Sequence, residues 1–527
     1  MKQNAAFLIL AMGWVILAPV SAQTEATGIV YDDRNGNGKR DPGEPGLPGV
    51  PVSNGQEVAR TDDAGRYRLP VTDDTVLFVI KPRDRMPPLD PYGVPRSFYL
   101  HKPKGSPAMK YPGVAPTGPL PASIDFPLRK TPEPDKFRVV MLGDTQGTGN
   151  DGFYGVGKLA TEELAGESFA FGMTLGDITW DDLTGFQPMK EAVGVLKRPW
   201  FYVLGNHDMN MDVPDFDHAD ETFERHFGPS YYAFDYGPVH FLVLHNVEYR
   251  GTSAFQSPLG RRELTFLRND LALVPKERLV VLSSHFSLWD MPEADRKALF
   301  ALLKDRPNVF HICGHWHMNQ HFFVTKEQGW EGPNPLHHLV AGAVCGSWWQ
   351  GEHDEWGQPQ AMMRCGAPKG YWFATFEGNR YSLEFKPSQR PASFGLSIYV
   401  PADNEWDPES NPPADADRNE VLVNVFAGSA RSTVEMQVDD GEWTRLDRVD
   451  RPDPYFARLI RLQNLKRYPT KKASAYGPGI GNSPHLWRGE LPANLSPGAH
   501  LIRVRTTDMF GHRYEGYQVY KKETSRN

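Results

Sequence analysis

Cysteine is scarce in this 527-residue chain: Cys313, Cys345 and Cys365 are the only three. That scarcity excludes a disulfide scaffold, so each domain must be held by its own apolar core. Cys345 and Cys365 could still pair, closing a loop of about 20 residues for about 3 kcal/mol in a chain-entropy account. Cys313 ends an apolar run and reads as a small buried strand residue. An excess of positive charge is also missing. Lys and Arg total 57 against 65 Asp and Glu, a net charge of −8. A generic nucleic-acid binder carries a basic patch or domain, so nucleic acid is a disfavoured partner. Long apolar runs are confined to the first residues, and no internal repeat is visible. The run Ala5–Val20 is too short for a membrane span. Lys2 precedes it and Val20-Ser21-Ala22 offers a cleavage site, so residues 1–22 read as a signal peptide. The alternative, an N-terminal anchor, fits that length less well. The expectation is an exported protein, periplasmic or extracellular, with no transmembrane anchor.

What is present points to several domains. Residues 23–130 alternate short β-type runs (Gly28–Tyr31, Val50–Ser53, Gly65–Leu69, Val76–Ile80) with Gly, Pro and Asp turns, the pattern of a small β-sandwich. Asp125–Asp135 is Pro-rich and charged and reads as a linker. Over 136–386 the texture changes to apolar strands, Phe137–Leu142, Phe169–Leu175, Trp200–Leu204, Val239–Leu244, Leu279–Ser283 and Val309–Cys313, with helical stretches between them. Arg261–Val274 sets Leu264, Leu267, Leu271 and Val274 on one face, and Glu293–Lys304 does the same with Leu299, Leu302 and Leu303. Strands alternating with helices predict an α/β domain with its active residues at strand ends. A polar stretch, Pro401–Asp417, lies within 387–527. There Val421–Phe426, Ser432–Val438, His500–Thr506 and Tyr514–Tyr520 predict a second mainly-β domain.

The strands of the middle domain run into metal-ligand residue types. Gly143-Asp144-Thr145-Gln146, Gly176-Asp177, Gly205-Asn206-His207-Asp208, His285 and Gly314-His315-Trp316-His317 come after five of them in turn. The preceding glycines let the backbone turn sharply, so the polar side chains can converge. Carboxylate, amide and imidazole without an obligatory thiolate suit Mn, Fe, Zn or Mg rather than a structural zinc. A carboxylate shared by two cations would hold them at the ~3.5–4 Å of two-metal hydrolytic sites. His245, after Val239–Leu244, competes with His285 as the lone histidine. His285 is preferred because it directly precedes the last motif strand.

These five blocks, in this order across Asp144–His317, resemble the calcineurin-like metallophosphoesterases. The similarity spans Phe137 to about Lys386 and implies a central α/β/β/α-type sandwich between two β-domains. The resemblance implies that Asp144, Gln146, Asp177 and His317 hold one divalent metal. It implies that Asp177, Asn206, His285 and His315 hold the other, with Asp177 bridging. It makes His207 the catalytic histidine, oriented by Asp208, and implies hydrolysis of a phosphoester by in-line attack of a metal-bridging hydroxide. Gln146 departs from the pattern, since many members have histidine there, and an amide oxygen is a harder and weaker ligand. The motifs fit phosphomonoesters and phosphodiesters equally. A non-catalytic, calcium-stabilised surface or scaffold protein is the alternative from another class, and a nuclease is disfavoured by charge.

Two further features stand outside those blocks. Asp33-Arg34-Asn35-Gly36-Asn37-Gly38 followed by Glu44 fits a calcium-loop pattern, with oxygens from Asp33, Asn35, Asn37, Lys39 (its carbonyl), Asp41 and Glu44. Pro45 and Pro48 forbid a following helix, and the stretch resembles the calcium-binding B-type repeats of bacterial surface adhesins. A Gly/Asn-rich turn without metal is the plainer reading. Trp348 and Trp349, beside Gly346 and Gly351, are candidates either for stacking on substrate or for packing.

Overall fold

The computed structural model describes residues 24–213, 215–250, 255–401, 417, 419–464 and 479–522. The signal-peptide reading and most of the 401–417 stretch lie outside the described residues.

At the N-terminal end, strand Thr24–Asp32 pairs antiparallel with Arg66–Val71 and parallel with Phe126–Lys130, in a four-stranded sheet. A second four-stranded sheet holds Pro51–Ser53 and Thr75–Val79. Alternation along Arg66–Val71 turns Tyr67, Leu69 and Val71 inward onto a core shared with Leu77, Val79 and Phe126. The expected linker is therefore corrected: Phe126–Lys130 is a sheet strand, and the residues just after it are pinned by burial. Glu133 is 5% exposed and its carboxylate takes the buried Lys81 ammonium at 2.5 Å and the Gly237 N–H at 2.9 Å. Lys81 also donates to the Asp235 carbonyl at 2.7 Å, so one buried ion pair joins the first domain to the second. Composition suggested a linker, but a charge taken out of water needs a fixed partner.

Two sheets packed face to face make the central domain. One has the order Trp200–Val203, Phe171–Leu175, Lys136–Leu142, Gly370–Glu377, Arg380–Pro387. The other runs Tyr232–Tyr236, Val239–Val243, Val280–Ser284, Val309–Cys313, Leu336–Ala341, Asn319–Val324. Phe171 of the first sheet meets Phe234 and Phe241 of the second at 5.6 and 5.4 Å between ring centres, all fully buried. Helices cover the outer faces: Phe186–Gly194 on the first sheet, Arg261–Leu271 and Glu293–Leu303 on the second. This is the α/β/β/α sandwich.

The face of helix Arg261–Leu271 differs from the expected leucine stripe. Its buried residues are Glu263, Phe266, Leu267, Asp270 and Leu271, while Leu264 is half-buried. Two acids turn inward because they have partners. Glu263 accepts the His245 N–H, and Asp270 pairs with His240 Nε2 at 2.8 Å. The C-terminal part is a sandwich of two four-stranded sheets, one containing Glu420–Val425 and Asn482–Glu490, the other Thr433–Val438, Gly498–Thr507 and Arg513–Lys522. Trp487, Val423, Met436 and Ile502 fill it.

Candidate metal centre

Parallel pairing puts the C-terminal ends of Lys136–Leu142, Phe171–Leu175, Val280–Ser284 and Val309–Cys313 on one rim of the sandwich, and the ligand-type residues leave from there. The loops are tied to one another through backbone. Gln146 N–H donates to the Asp177 carbonyl at 2.8 Å, Cys345 N–H to Asp144 at 3.1 Å, and Gly314 N–H to His285 at 3.2 Å. The glycines mainly make room. A Cβ on Gly205 would stand 2.3 Å from Asp177 Oδ1, and one on Gly314 would stand 2.5 Å from Asp144 Oδ2. Gly176 has a positive φ, +88°, so there the backbone also needs glycine.

Two donor groups result, and they share one residue. Asp144, Asp177 and His317 bring a ligand atom each to within 4.8 Å of one another, as do Asp177, His285 and His315. His285 gives Nδ1 to the Leu175 carbonyl at 2.9 Å, which leaves Nε2 facing Asp177 Oδ1 at 3.1 Å and Asn206 Oδ1 at 2.9 Å. His317 gives Nδ1 to the Gly346 carbonyl and points Nε2 at Asp144 Oδ1, 3.4 Å away. Carbonyl bonds of this kind fix the tautomer and aim the free nitrogen of a metal-binding histidine. Converging buried carboxylates and imidazoles with outer nitrogens already bonded fit a pair of divalent cations. Asp144, Gln146, Asp177, His315 and His317 all hold left-handed backbone, φ 32° to 70°. Such conformations are strained for non-glycine residues and persist where the surroundings impose them.

Gln146 stands at this centre, with Nε2 donating to Asp177 Oδ2 at 3.1 Å and Oε1 accepting from Cys345 Sγ at 3.2 Å. The pairing open to Cys345 and Cys365 is not formed, because all three cysteines are buried free thiols. Cys345 is spent on Gln146 and lies 3.6 Å from His317 Nδ1. His245 lies off the centre, with Nδ1 4.0 Å from Asp220.

The orientation of His207 by Asp208 is also corrected. Asp208 is fully buried and accepts backbone N–H bonds from Ile178, Thr179 and Gly205 at 3.0 Å each, so it holds two loops together. The partner of His207 is Asp181, whose Oδ1 lies 2.7 Å from Nδ1. Trp180 stacks on the His207 ring at 4.8 Å, and Tyr111 of the first domain donates its hydroxyl to the Asp181 carbonyl at 3.1 Å. Asp181, Trp180 and Tyr111 escaped the sequence reading, though Asp181 stands four residues after Asp177 in a short polar turn.

Burial and charge set the proton affinities. Burial pushes Asp177 up, but the charges of His285 and His207 outweigh it and hold the carboxyl well below the usual range. Burial pulls His285 down, yet Asp177 carries it up to about 9. The same opposition raises His207, with Asp177 and then Asp181 outweighing burial. Asp208 is lifted to about 7 by burial and then by Asp177.

The two tryptophans divide. The half-buried Trp348 ring lies 4.9 Å from His317 and edge-on to Trp180 at 6.1 Å. Trp349 is tied to the backbone instead, with Nε1 donating to the Thr145 and Gln146 carbonyls at 3.2 and 3.1 Å. In the Asp33–Glu44 loop, Asp33 accepts N–H bonds from Gly36, Asn37 and Gly38, and Glu44 accepts from Arg34 and Asp41. Asn35 and Asn37 both donate to Asp41 Oδ2, and Lys39 N–H donates to Asn37 Oδ1.

Three family models match the chain. Calcineurin-like phosphoesterase covers residues 137–319, the N terminal of calcineurin-like phosphoesterase covers 34–111, and the C terminal covers 338–514. No curated protein matches. Among solved structures, purple acid phosphatase PPD1 from yellow lupin (Lupinus luteus) seeds is similar at 12% identity and a TM-score of 0.35, over 64% of this chain. The chain spans 66% of that protein's length, and so slight a likeness carries no argument.

Proposed function

The chain belongs to the calcineurin-like phosphoesterases, and from that premise we propose an exported enzyme that uses two divalent metal ions to hydrolyse phosphomonoesters or phosphodiesters. One observation carries the reading: two donor groups share Asp177, and His207 with its acid partner stands beside them. Asp144, Gln146, Asp177 and His317 would hold one ion, and Asp177, Asn206, His285 and His315 the other. When bound, the ions supply Lewis acidity and lower the pKa of water. Mn, Fe, Zn and Mg all suit these donors.

The chain's own groups supply the proton chemistry and the shape. His207 N–H is anchored on Asp177 Oδ1 at 3.0 Å, so the backbone of the acid is tied to the shared ligand. Its Nδ1 is occupied by Asp181, so Nε2 is the nitrogen available to a departing oxygen. The Asp181 carboxylate on Nδ1 favours the protonated ring, which can then donate a proton. Trp180 fixes the ring plane, and with Trp348 it forms an aromatic wall for the organic group of the ester. A protein that only binds its ligand has no use for a charged His–Asp pair at the mouth of the centre, which argues against the scaffold alternative.

Export rests on residues 1–22. Calcium at Asp33–Glu44 would order the first domain and take no part in turnover. The test is phosphate or nitrophenol release from p-nitrophenyl phosphate and bis(p-nitrophenyl) phosphate after demetallated protein is reloaded with manganese or zinc. Turnover of either ester, abolished by chelation, supports the proposal. No turnover of either by protein that has taken up metal overturns it.

A further inference from the structure

A cleft of about 960 Å3 opens between loop 353–369 of the central domain and the C-terminal strands Leu396–Tyr399 and Arg513–Lys522. Three aromatic residues line it while facing water: Tyr517 is 61% exposed, Trp356 58% and Phe394 38%. One exposed aromatic ring is ordinary, but three around a single concavity mark a binding surface. The backbone of Trp356 is anchored, its main-chain N–H donating to Asp354 Oδ1 at 3.0 Å. Tyr517 stands on the outward row of its strand with its hydroxyl on Glu515 Oε2 at 2.7 Å. Arg390 covers Phe394 at 5.7 Å.

The same cleft is lined by a buried polar group without a partner among the described residues. Ser388 is 3% exposed and its Oγ makes no hydrogen bond to any described residue. Its N–H bonds the carbonyl of Lys369, another lining residue, which is 5% exposed and whose ammonium reaches the Pro359 carbonyl. A buried hydroxyl left unpaired is unfavourable, and it becomes satisfied when a ligand supplies a polar atom. The charges around the cleft are mixed. Lys369 and Arg390 face Asp354, Glu355 and Glu515, so neither an anion nor a cation finds a complementary field.

We propose that this cleft binds an uncharged oligosaccharide, independently of the phosphoester chemistry. A pyranose ring offers an apolar C–H face to an aromatic ring and a rim of hydroxyls that both donate and accept. That combination matches exposed rings that line the same cleft as Ser388 and side chains of both signs. The volume sits at the top of the ~300–1,000 Å3 usual for small-ligand sites, which suits a short chain better than a single sugar.

The experiment is calorimetric titration of the full chain with cellohexaose, chitohexaose and mannohexaose. At least one should bind the wild type. Trp356→Ala and Tyr517→Ala should each weaken that binding about tenfold, the upper range for a stacked aromatic contact. Both side chains are exposed, so these variants keep the fold, and hydrolysis of p-nitrophenyl phosphate should stay at the wild-type rate. Asp177→Asn should bind the sugar as the wild type does. Failure of all three hexasaccharides to bind overturns the proposal, as does unchanged binding by both aromatic variants. Loss of sugar binding in Asp177→Asn would place the sugar at the metal centre and also overturn it.

Discussion

The metal centre and the Asp33–Glu44 loop are both clusters of carboxylates and amides, yet they are built in opposite ways. The loop takes all its oxygens from one short stretch, and its own backbone N–H groups already occupy Asp33 and Glu44. Its positive-φ positions fall on Gly36, Gly38 and Gly43, at φ 73°, 72° and 92°, where they cost little. The centre draws on five separate loops, and there the left-handed residues are the ligand candidates themselves. Asp177 and His285 face one another across two sheets because a core of buried aromatics fixes the strands beneath them. A site held by its own loop can order a segment. A site held against backbone strain by a whole domain can keep donor atoms aimed at one another, which is what pre-organised catalysis needs.

Changes in the centre should therefore hit turnover, and changes in the loop should hit only stability. Among changes that leave the metals bound, the largest effect is expected for His207→Ala, a loss of about 10²–10⁴ in kcat, since general acid catalysis contributes that much. Metal analysis beside kinetics checks it, and wild-type rates in metal-loaded protein would remove His207 from the mechanism. Asp181→Asn should cost less, roughly tenfold to a hundredfold on the scale of pKa-tuned acids. Asp208→Asn should act differently. It weakens the acceptor for three buried N–H groups, so stability should fall by about 1–3 kcal/mol, read by urea unfolding. If Asp208→Asn lost more kcat than Asp181→Asn at equal stability, the assignment of Asp181 as the partner would fail.

Gln146→His should change turnover modestly while tightening the first site, more for zinc than for manganese, because imidazole is the softer ligand. Titration of both metals into demetallated protein measures this, and unchanged affinities would show that Gln146 never touches the metal. The smallest effect on turnover, none, is expected for Asp33→Ala with Glu44→Ala. Their signature is a lost calcium-dependent rise in melting temperature, equivalent to about 2.7 kcal/mol at one hundred times the dissociation constant. Melting curves of the full chain with calcium and with EGTA decide it.

Legibility in the sequence divides along the same line. Mostly apolar strands ending in Gly-Asp, Gly-Asn-His and Gly-His-Trp-His exposed the ligand order, since each block is local and each strand is buried throughout. Asp181 was hidden because its role depends on how the turn after Asp177 folds back over His207, a contact across 26 residues. Adjacency favoured Asp208 instead, but a side chain inside the Asn206–Asp208 turn points back to its own backbone donors. The stretch around Glu133 looked like a tether for a related reason. Its composition is polar and Pro-rich, and only the partner 52 residues away, Lys81, makes it a buried joint. The strand pair Gly370–Glu377 and Arg380–Pro387, which completes the first sheet, was absorbed into an undivided tail of the domain.

The central claim is that Asp177 is common to two metal positions, and metal stoichiometry tests it most directly. Wild-type chain reloaded with manganese or zinc and freed of excess should carry two ions, and Asp177→Asn should lose affinity at both positions together with turnover. An Asp177→Asn protein that keeps its fold and one ion at wild-type affinity would contradict the shared ligand. One that keeps both ions and hydrolyses p-nitrophenyl phosphate normally would contradict the whole account of the centre.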